Sequence, residues 1–273
     1  MLEAEYKKGK TVTVFSTASA AGKTLISINA AAELARQGNA VCLVDLDLQF
    51  GDVKNYLALQ PDYTIFDVQE KLRSNPETTD VISLLTEYSY REVRFSVLPA
   101  SAALEEAYNI STDFVLQMLH QLQEAFDYII LDTAAAFSEL NLAVMDISQM
   151  ISFIGIVDFI PTIKNMKIGY DTMRSIGYDR SRIQLVLNRS DSKTSIELKD
   201  VSRLLGEQFS QVLPNEFGMA SQSIRNAVPL VLMDTESSLQ QSLRALAIQY
   251  TDDPEIVTDE KRGLFGLVKK IFE

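Results

Sequence analysis

Cysteine is nearly absent from this 273-residue chain: Cys42 stands alone, which excludes an internal disulfide and any cysteine-cluster metal site. Within the apolar run that contains it, Cys42 reads as a core residue. Histidine is equally scarce. His120 sits among polar residues (LHQLQE) and reads as a solvated helix position rather than a ligand or a base. No run of about 18 apolar residues occurs, so the sequence holds no candidate for a membrane-spanning helix. Residues 1–10 are too charged for a signal peptide. Positive charge is also short, with 25 Lys and Arg against 37 Asp and Glu and a formal net charge of −12. A surface built to grip nucleic acid needs clustered cations to neutralise phosphate, so nucleic acid is not an expected partner. Repeats and low-complexity tracts are missing as well. These features lead to the expectation of a cytoplasmic chain in a reducing compartment.

What is present is ordinary globular composition, 47% hydrophobic and 23% charged, on a chain long enough for one large core. Short aliphatic or β-branched runs cover residues 11–16 (TVTVFS), 40–46 (AVCLVDL), 93–98 (VRFSVL), 128–132 (YIILD), 151–157 (ISFIGIV), 183–187 (IQLVL) and 209–213 (FSQVL). Helical patterns lie between them, at residues 24–37, 111–125, 164–176 and 196–205 among others. Near-continuous apolar strands alternating with helices predict an α/β fold: a doubly wound, mostly parallel sheet with helices on both faces. The expected organisation is a leader over residues 1–10, one domain over 11–250, an acidic linker over 251–262 and an amphipathic C-terminal helix over 263–273. Met145, Met150, Met166 and Met173 read as packing residues.

The chemistry begins where the first strand ends. Residues 17–24 read TASAAGKT, against the phosphate-loop pattern G-x-x-x-x-G-K-[ST]. Gly22, Lys23 and Thr24 open a helix directly after a strand; Thr17 stands where the leading glycine belongs. Lys23 would reach the β and γ phosphates, the Thr24 hydroxyl would bind Mg²⁺, and free N–H groups at the helix start would hold phosphate oxygens. Asp45 and Asp47 end the second strand (LVDLDLQFGD) and Asp132 ends a later one. Ligands of parallel sheets gather outside the carboxyl ends of the strands, so the three carboxylates should meet the loop at one edge. Asp132 suits the role of holding Mg²⁺, with helix capping as the alternative. For Asp47 a turn or capping role stays open.

The strings LVDLDLQFGDV, FDYIILDTAAAF and LVLNR (residues 185–189) resemble the CpaE/TadZ branch of the MinD/ParA P-loop ATPases over roughly residues 11–247. That resemblance implies a P-loop NTPase fold and a part in placing or assembling type IV (Flp/Tad) pilus machinery. It implies ATP and Mg²⁺ as cofactors, with Ala18, Ser19, Ala20, Ala21, Gly22, Lys23 and Thr24 forming the nucleotide loop. Lys23 and Asp47 would be the catalytic pair, Asp47 positioning the attacking water, and Thr24, Asp45 and Asp132 would serve the metal. Asn188 would read the adenine edge, or else be a turn residue. Pro214 would pack on the base, or else end a strand. A nucleotide-dependent homodimer and a pilus or secretion protein are the implied partners. The chain departs from the family at the loop, K-G-G-x-G-K-[ST], whose first lysine contacts nucleotide across the dimer. Ala18 replaces that lysine, Ser19 and Ala20 replace the two glycines, and no other Lys or Arg lies in the loop upstream of Lys23. A position needing positive φ would cost a non-glycine residue about 1–2 kcal/mol. ATP binding is therefore expected to survive better than fast hydrolysis.

Other members of the fold fit less well. The nitrogenase iron protein needs cluster cysteines, tyrosine kinases of this fold carry a C-terminal tyrosine cluster, and a DNA-partitioning ParA would show a basic surface.

The C-terminal segment KRGLFGLVKKIFE adds a second signal. On a helix, Leu264, Phe265, Leu267, Val268, Ile271 and Phe272 cluster on one side, with Lys261, Arg262, Lys269 and Lys270 at its edges or opposite. Such a helix lies in a membrane interface, and this one resembles the membrane-targeting helix of MinD. Docking on the domain or on a partner is the alternative. Two functions follow: a slow, dimerisation-coupled ATPase associated with the inner face of the cell membrane, or a non-hydrolysing, nucleotide-gated scaffold.

Overall fold

Strands that are apolar on both sides need cover on both faces, and the chain provides it by alternating strand with helix. The structure, a computed structural model, describes residues 8–158, 160–190 and 198–251. In chain order these form β1 (Lys10–Phe15), α1 (Lys23–Arg36), β2 (Val41–Leu46), α2 (Val53–Tyr56), α3 (Ile65–Ser74), β3 (Thr86–Tyr90), β4 (Val93–Leu98), α4 (Leu104–Ala107) and α5 (Thr112–Ala125). The second half continues with β5 (Tyr128–Thr133), α6 (Glu139–Ile147), β6 (Met150–Ile156), α7 (Ile160–Ser175), β7 (Ile183–Asn188), α8 (Leu198–Leu205), β8 (Gln211–Val212), α9 (Phe217–Asn226) and α10 (Ser238–Gln249). The expected C-terminal helix lies outside the described residues.

The strands make one eight-stranded sheet in the order β3-β4-β2-β5-β1-β6-β7-β8. Every pairing is parallel except β3 with β4. The doubly wound, mostly parallel sheet expected from the alternation is what forms. Side chains sort by parity along each strand. Val12 and Val14 of β1, Leu43 of β2 and Ile130 of β5 face one layer with Ile26 and Leu34 of α1 and Leu243 and Leu246 of α10. Cys42, Val44, Ile129 and Leu131 face the other layer, against Val68 of α3 and Met118 and Leu122 of α5. Farther along that second face, Phe15 and Phe153 stack at 5.7 Å between centroids above Met166 and Met173 of α7. Cys42 and all four methionines expected to pack are core, Met150 in the first layer and Met145, Met166 and Met173 in the second.

The antiparallel edge strand β3 is absent from the apolar pattern for a physical reason. Its sequence TEYSY is polar and only Tyr88 is fully buried, as suits an edge. Helix α7 begins at Ile160, four residues before the expected start, because Pro161 sits in the first turn, where its missing N–H costs nothing. Central β1 carries its C-terminal edge, and the loop that follows, into the middle of the molecule. That placement decides where the site lies.

Candidate functional site

The loop after β1 turns sharply into α1, and Gly22 makes the turn possible. It sits at φ 92 as the N-cap, and a Cβ there would run into the Asn188 side-chain amide. The first helical hydrogen bond runs from Ile26 N to the Gly22 carbonyl at 3.1 Å. The N–H groups of Lys23, Thr24 and Leu25 therefore have no intrahelical acceptor. Thr64, Ser111, Ser138 and Ser237 cap α3, α5, α6 and α10 with side-chain oxygens, but α1 has no side-chain cap bond. A long helix with bare amides at its start is suited to an anion.

Those amides open on a cavity of about 410 Å³ lined by Ser19, Ala20, Gly22, Lys23, Thr24, Asp47, Phe50, Asp52, Tyr56 and Arg189, among others. A cofactor-sized ligand fits such a volume. Ala18 and Ala21, the other expected loop residues, are not in that lining. Ala21 is buried in the core and the Ala18 N–H donates to Ser16 Oγ at 3.0 Å. Ala20 adopts φ 55, so the loop does carry a non-glycine residue in the left-handed region.

Behind the loop, parallel pairing of β2, β5 and β1 sets Asp45 beside Asp132 and Asp132 beside Val14. Asp132 accepts from Thr24 Oγ1 at 2.6 Å and from Ser27 Oγ at 3.1 Å. This joins the carboxylate expected to serve a metal with the hydroxyl expected to bind it. Asp45 is placed differently. Its two oxygens accept the N–H groups of Asp47 and Val53, both at 3.2 Å, and so hold the turn between β2 and α2. Gly51 is required there, because a Cβ would strike Asp45 and Ala100. Held by that turn, Asp47 reaches the cavity wall. Neither Asp45 nor Asp132 is among the residues lining the cavity; Asp132 is joined to it through Thr24.

Burial drives the electrostatics. Asp45 is held well above the usual carboxylate range, first by desolvation and then by the Asp132 charge. Desolvation pushes Asp132 up to about 6, against the pull of the Thr24 hydroxyl, the Lys23 ammonium and the Ser27 hydroxyl. Because the folded value exceeds the unfolded 3.8, this group's stabilisation is full below about pH 4 and is lost as pH rises through about 6. Metal-free protein is expected to melt higher at pH 5 than at pH 7. Asp132→Asn should flatten that slope and raise the pH 7 midpoint, by on the order of 1 kcal/mol or about 2–4 °C. Thermal melts in chelator check this, and a variant that follows the wild-type pH slope would contradict it.

A second, more apolar cavity adjoins the first and shares Gly22, Leu25, Tyr56 and Arg189 with it. Asn188, Pro214, Phe217, Ala220, Ile224 and Leu239 also line it, with Asn215, Glu216 and Ser221 as polar neighbours. Asn188 and Pro214, the two residues expected at a base, thus meet in one place, 26 residues apart in sequence. The Asn188 amide is already partly used: Nδ2 donates to the Ala21 carbonyl at 2.8 Å and Oδ1 accepts from Arg189 N at 2.9 Å. One N–H and one lone pair remain for a ligand. Ser27, Tyr56, Phe50 and Arg189 were not singled out in the sequence. Only Arg189 carried a signal, as the cation directly after a strand-ending asparagine.

A polar cavity at an uncapped helix start, adjoining an apolar one at the carboxyl edge of a parallel sheet, is the arrangement of a P-loop nucleotide-binding fold. Residues 12–230 match the CobQ/CobB/MinD/ParA nucleotide binding domain, and the chain belongs to that family. The septum site-determining protein MinD of Thermotoga maritima is 26% identical over 184 residues, which cover 66% of this chain and 64% of that protein. The chain thus spans a little under two thirds of this curated relative's length. Among solved structures, a ParA family ATPase from Chlorobium tepidum superposes with a TM-score of 0.78 at 19% identity, covering 89% of this chain and 99% of that one. MinD from Pyrococcus horikoshii, complexed with Mg-ADP, gives 0.75 at 17% identity, covering 91% and 100%.

Proposed function

We propose that the protein binds ATP with Mg²⁺ and hydrolyses it slowly. As a CpaE/TadZ-type member, it localises or helps assemble a type IV (Flp/Tad) pilus or secretion apparatus at the inner face of the cell membrane. The observation carrying the nucleotide half is the Thr24–Asp132 hydrogen bond beneath the uncapped start of α1. Lys23 and the bare amides take the phosphate oxygens. That bond sets a hydroxyl oxygen beside a carboxylate oxygen, and hard oxygen donors are what a small hard cation prefers. Bound Mg²⁺ supplies charge to offset what develops on the transferring phosphoryl group. Asp47, which also lines that cavity, orients the attacking water. Asn188 and Pro214 border the base.

Support for a homodimer comes from Phe50 and Phe217, which are 73% and 75% exposed at the rims of the two cavities. Apolar side chains beside a polar cleft favour a covering partner. Support for slow turnover comes from the loop: Ala18 brings no cation, and strained Ala20 stands in a position suited to glycine. The same two residues favour a second reading, a non-hydrolysing scaffold that keeps the nucleotide as a gate. Phosphate release separates the two. Turnover well below about 10 s⁻¹ is expected, with Asp47→Ala reducing it to background while ATP still binds. Release at about 10 s⁻¹ would contradict the slow-ATPase reading, and intact binding with no release from wild type would favour the scaffold.

A further inference from the structure

We propose that Arg189 is a phosphate-binding residue, which supplies from the end of β7 the second positive charge that a triphosphate tail needs. The proposal rests on the nucleotide reading above and names how that site holds the terminal phosphates. A nucleoside triphosphate brings several negative charges into a cavity already lined by the carboxylates of Asp47 and Asp52. Lys23 and Arg189 are the two cations in that lining. Part of the Lys23 charge is spent on buried Asp132, whose proton affinity it lowers. Arg189 brings the second positive charge to that wall.

Its geometry fits. Arg189 Nη2 donates to the Ala20 carbonyl at 3.0 Å, which sets the guanidinium against the phosphate loop. Nη1 also lies 3.8 Å from Asp158 Oδ2, a loose and partly exposed pairing of a kind worth little in water. A guanidinium carries five N–H donors in a planar fork that matches phosphate oxygens. Arg189 borders both cavities, and Tyr56 on the shared wall senses its charge. The backbone is built for this placement. Arg189 and Ala20 adopt φ 53 and φ 55, so two strained non-glycine residues are bonded to each other. The Arg189 N–H is held by Asn188, which in turn is held by the Ala21 carbonyl. Strain that the surroundings enforce is characteristic of binding sites.

The alternative is that Arg189 only braces the loop, and charge separates the two roles. Arg189→Gln keeps a donor for the Ala20 carbonyl but removes the charge. Titrations with Mg-ATP, Mg-ADP and adenosine on wild type, Arg189→Gln and Lys23→Ala are compared at one ionic strength. Arg189→Gln is expected to weaken ATP about tenfold, ADP less, and adenosine not at all. Wild-type ATP affinity in Arg189→Gln, with binding lost in Lys23→Ala, would overturn the assignment and leave the site standing. Equal losses for all three ligands would also overturn it, as the sign of a bracing role. If Lys23→Ala too binds as wild type does, the nucleotide site itself falls.

Discussion

Replacing Lys23 with alanine is expected to weaken Mg-ATP binding by about 100-fold. The residue opens α1 beside three bare amides, 8% exposed, on the wall of the phosphate cavity. Hydrogen bonds to charged groups contribute about 1.5–3 kcal/mol each, and every 1.4 kcal/mol is a factor of ten. An ammonium that reaches two phosphates therefore accounts for about two orders of magnitude. Isothermal titration of wild type and variant reads the difference directly. Structural damage should be small, because the Lys23 side chain has no bonded partner among those that brace the loop, which are Asn188 and Arg189. Equal affinity in the two proteins would remove the phosphate site, and an unfolded variant would show itself in its far-UV spectrum.

The second large effect is expected at the membrane. Full-length protein should sediment with anionic vesicles, whereas a truncation after Glu260 and the variant Phe265→Glu should stay in the supernatant. The segment over 263–273 offers six large apolar residues, each worth about 1.5–3 kcal/mol if fully desolvated. Interfacial insertion is shallower and ordering the helix costs entropy, so one copy binds modestly. If two copies sit on one dimer they share a single loss of translational freedom, and sedimentation should then depend on dimerisation. Lys261, Arg262, Lys269 and Lys270 add an attraction to anionic lipid that salt screens. If all three proteins pellet alike, the tail is not the anchor and a helix docked on protein takes its place.

Fold and site were legible to different depths. Seven strands are visible as apolar runs because a parallel sheet covered on both faces buries every residue of β1, β2 and β6 and all but one of β5 and β7. β3 is not, since an edge strand buries only Tyr88. β8 shrinks to two paired residues, far fewer than its apolar run suggests. At the site, Gly22, Lys23 and Thr24 form a contiguous motif, and Asp132 follows an unmistakable buried strand, so both could be read locally. The role of Asp45 in holding the β2–α2 turn could not, because it depends on where Val53 N–H points. Neither could the clamp from Asn188 and Arg189, which grip the loop from 167 and 169 residues away. Contacts of that range leave no periodicity in a single sequence.

The central claim is that one Mg-nucleotide is held between the start of α1 and the end of β5. A crystal structure with Mg²⁺ and a non-hydrolysable ATP analogue tests it most directly. The expected result places phosphate oxygens on the N–H groups of Lys23, Thr24 and Leu25. It places the metal beside Thr24 Oγ1 and Asp132, and the base between Asn188 and Pro214. Nucleotide bound elsewhere, or a loop that stays empty at saturating analogue, would contradict the claim.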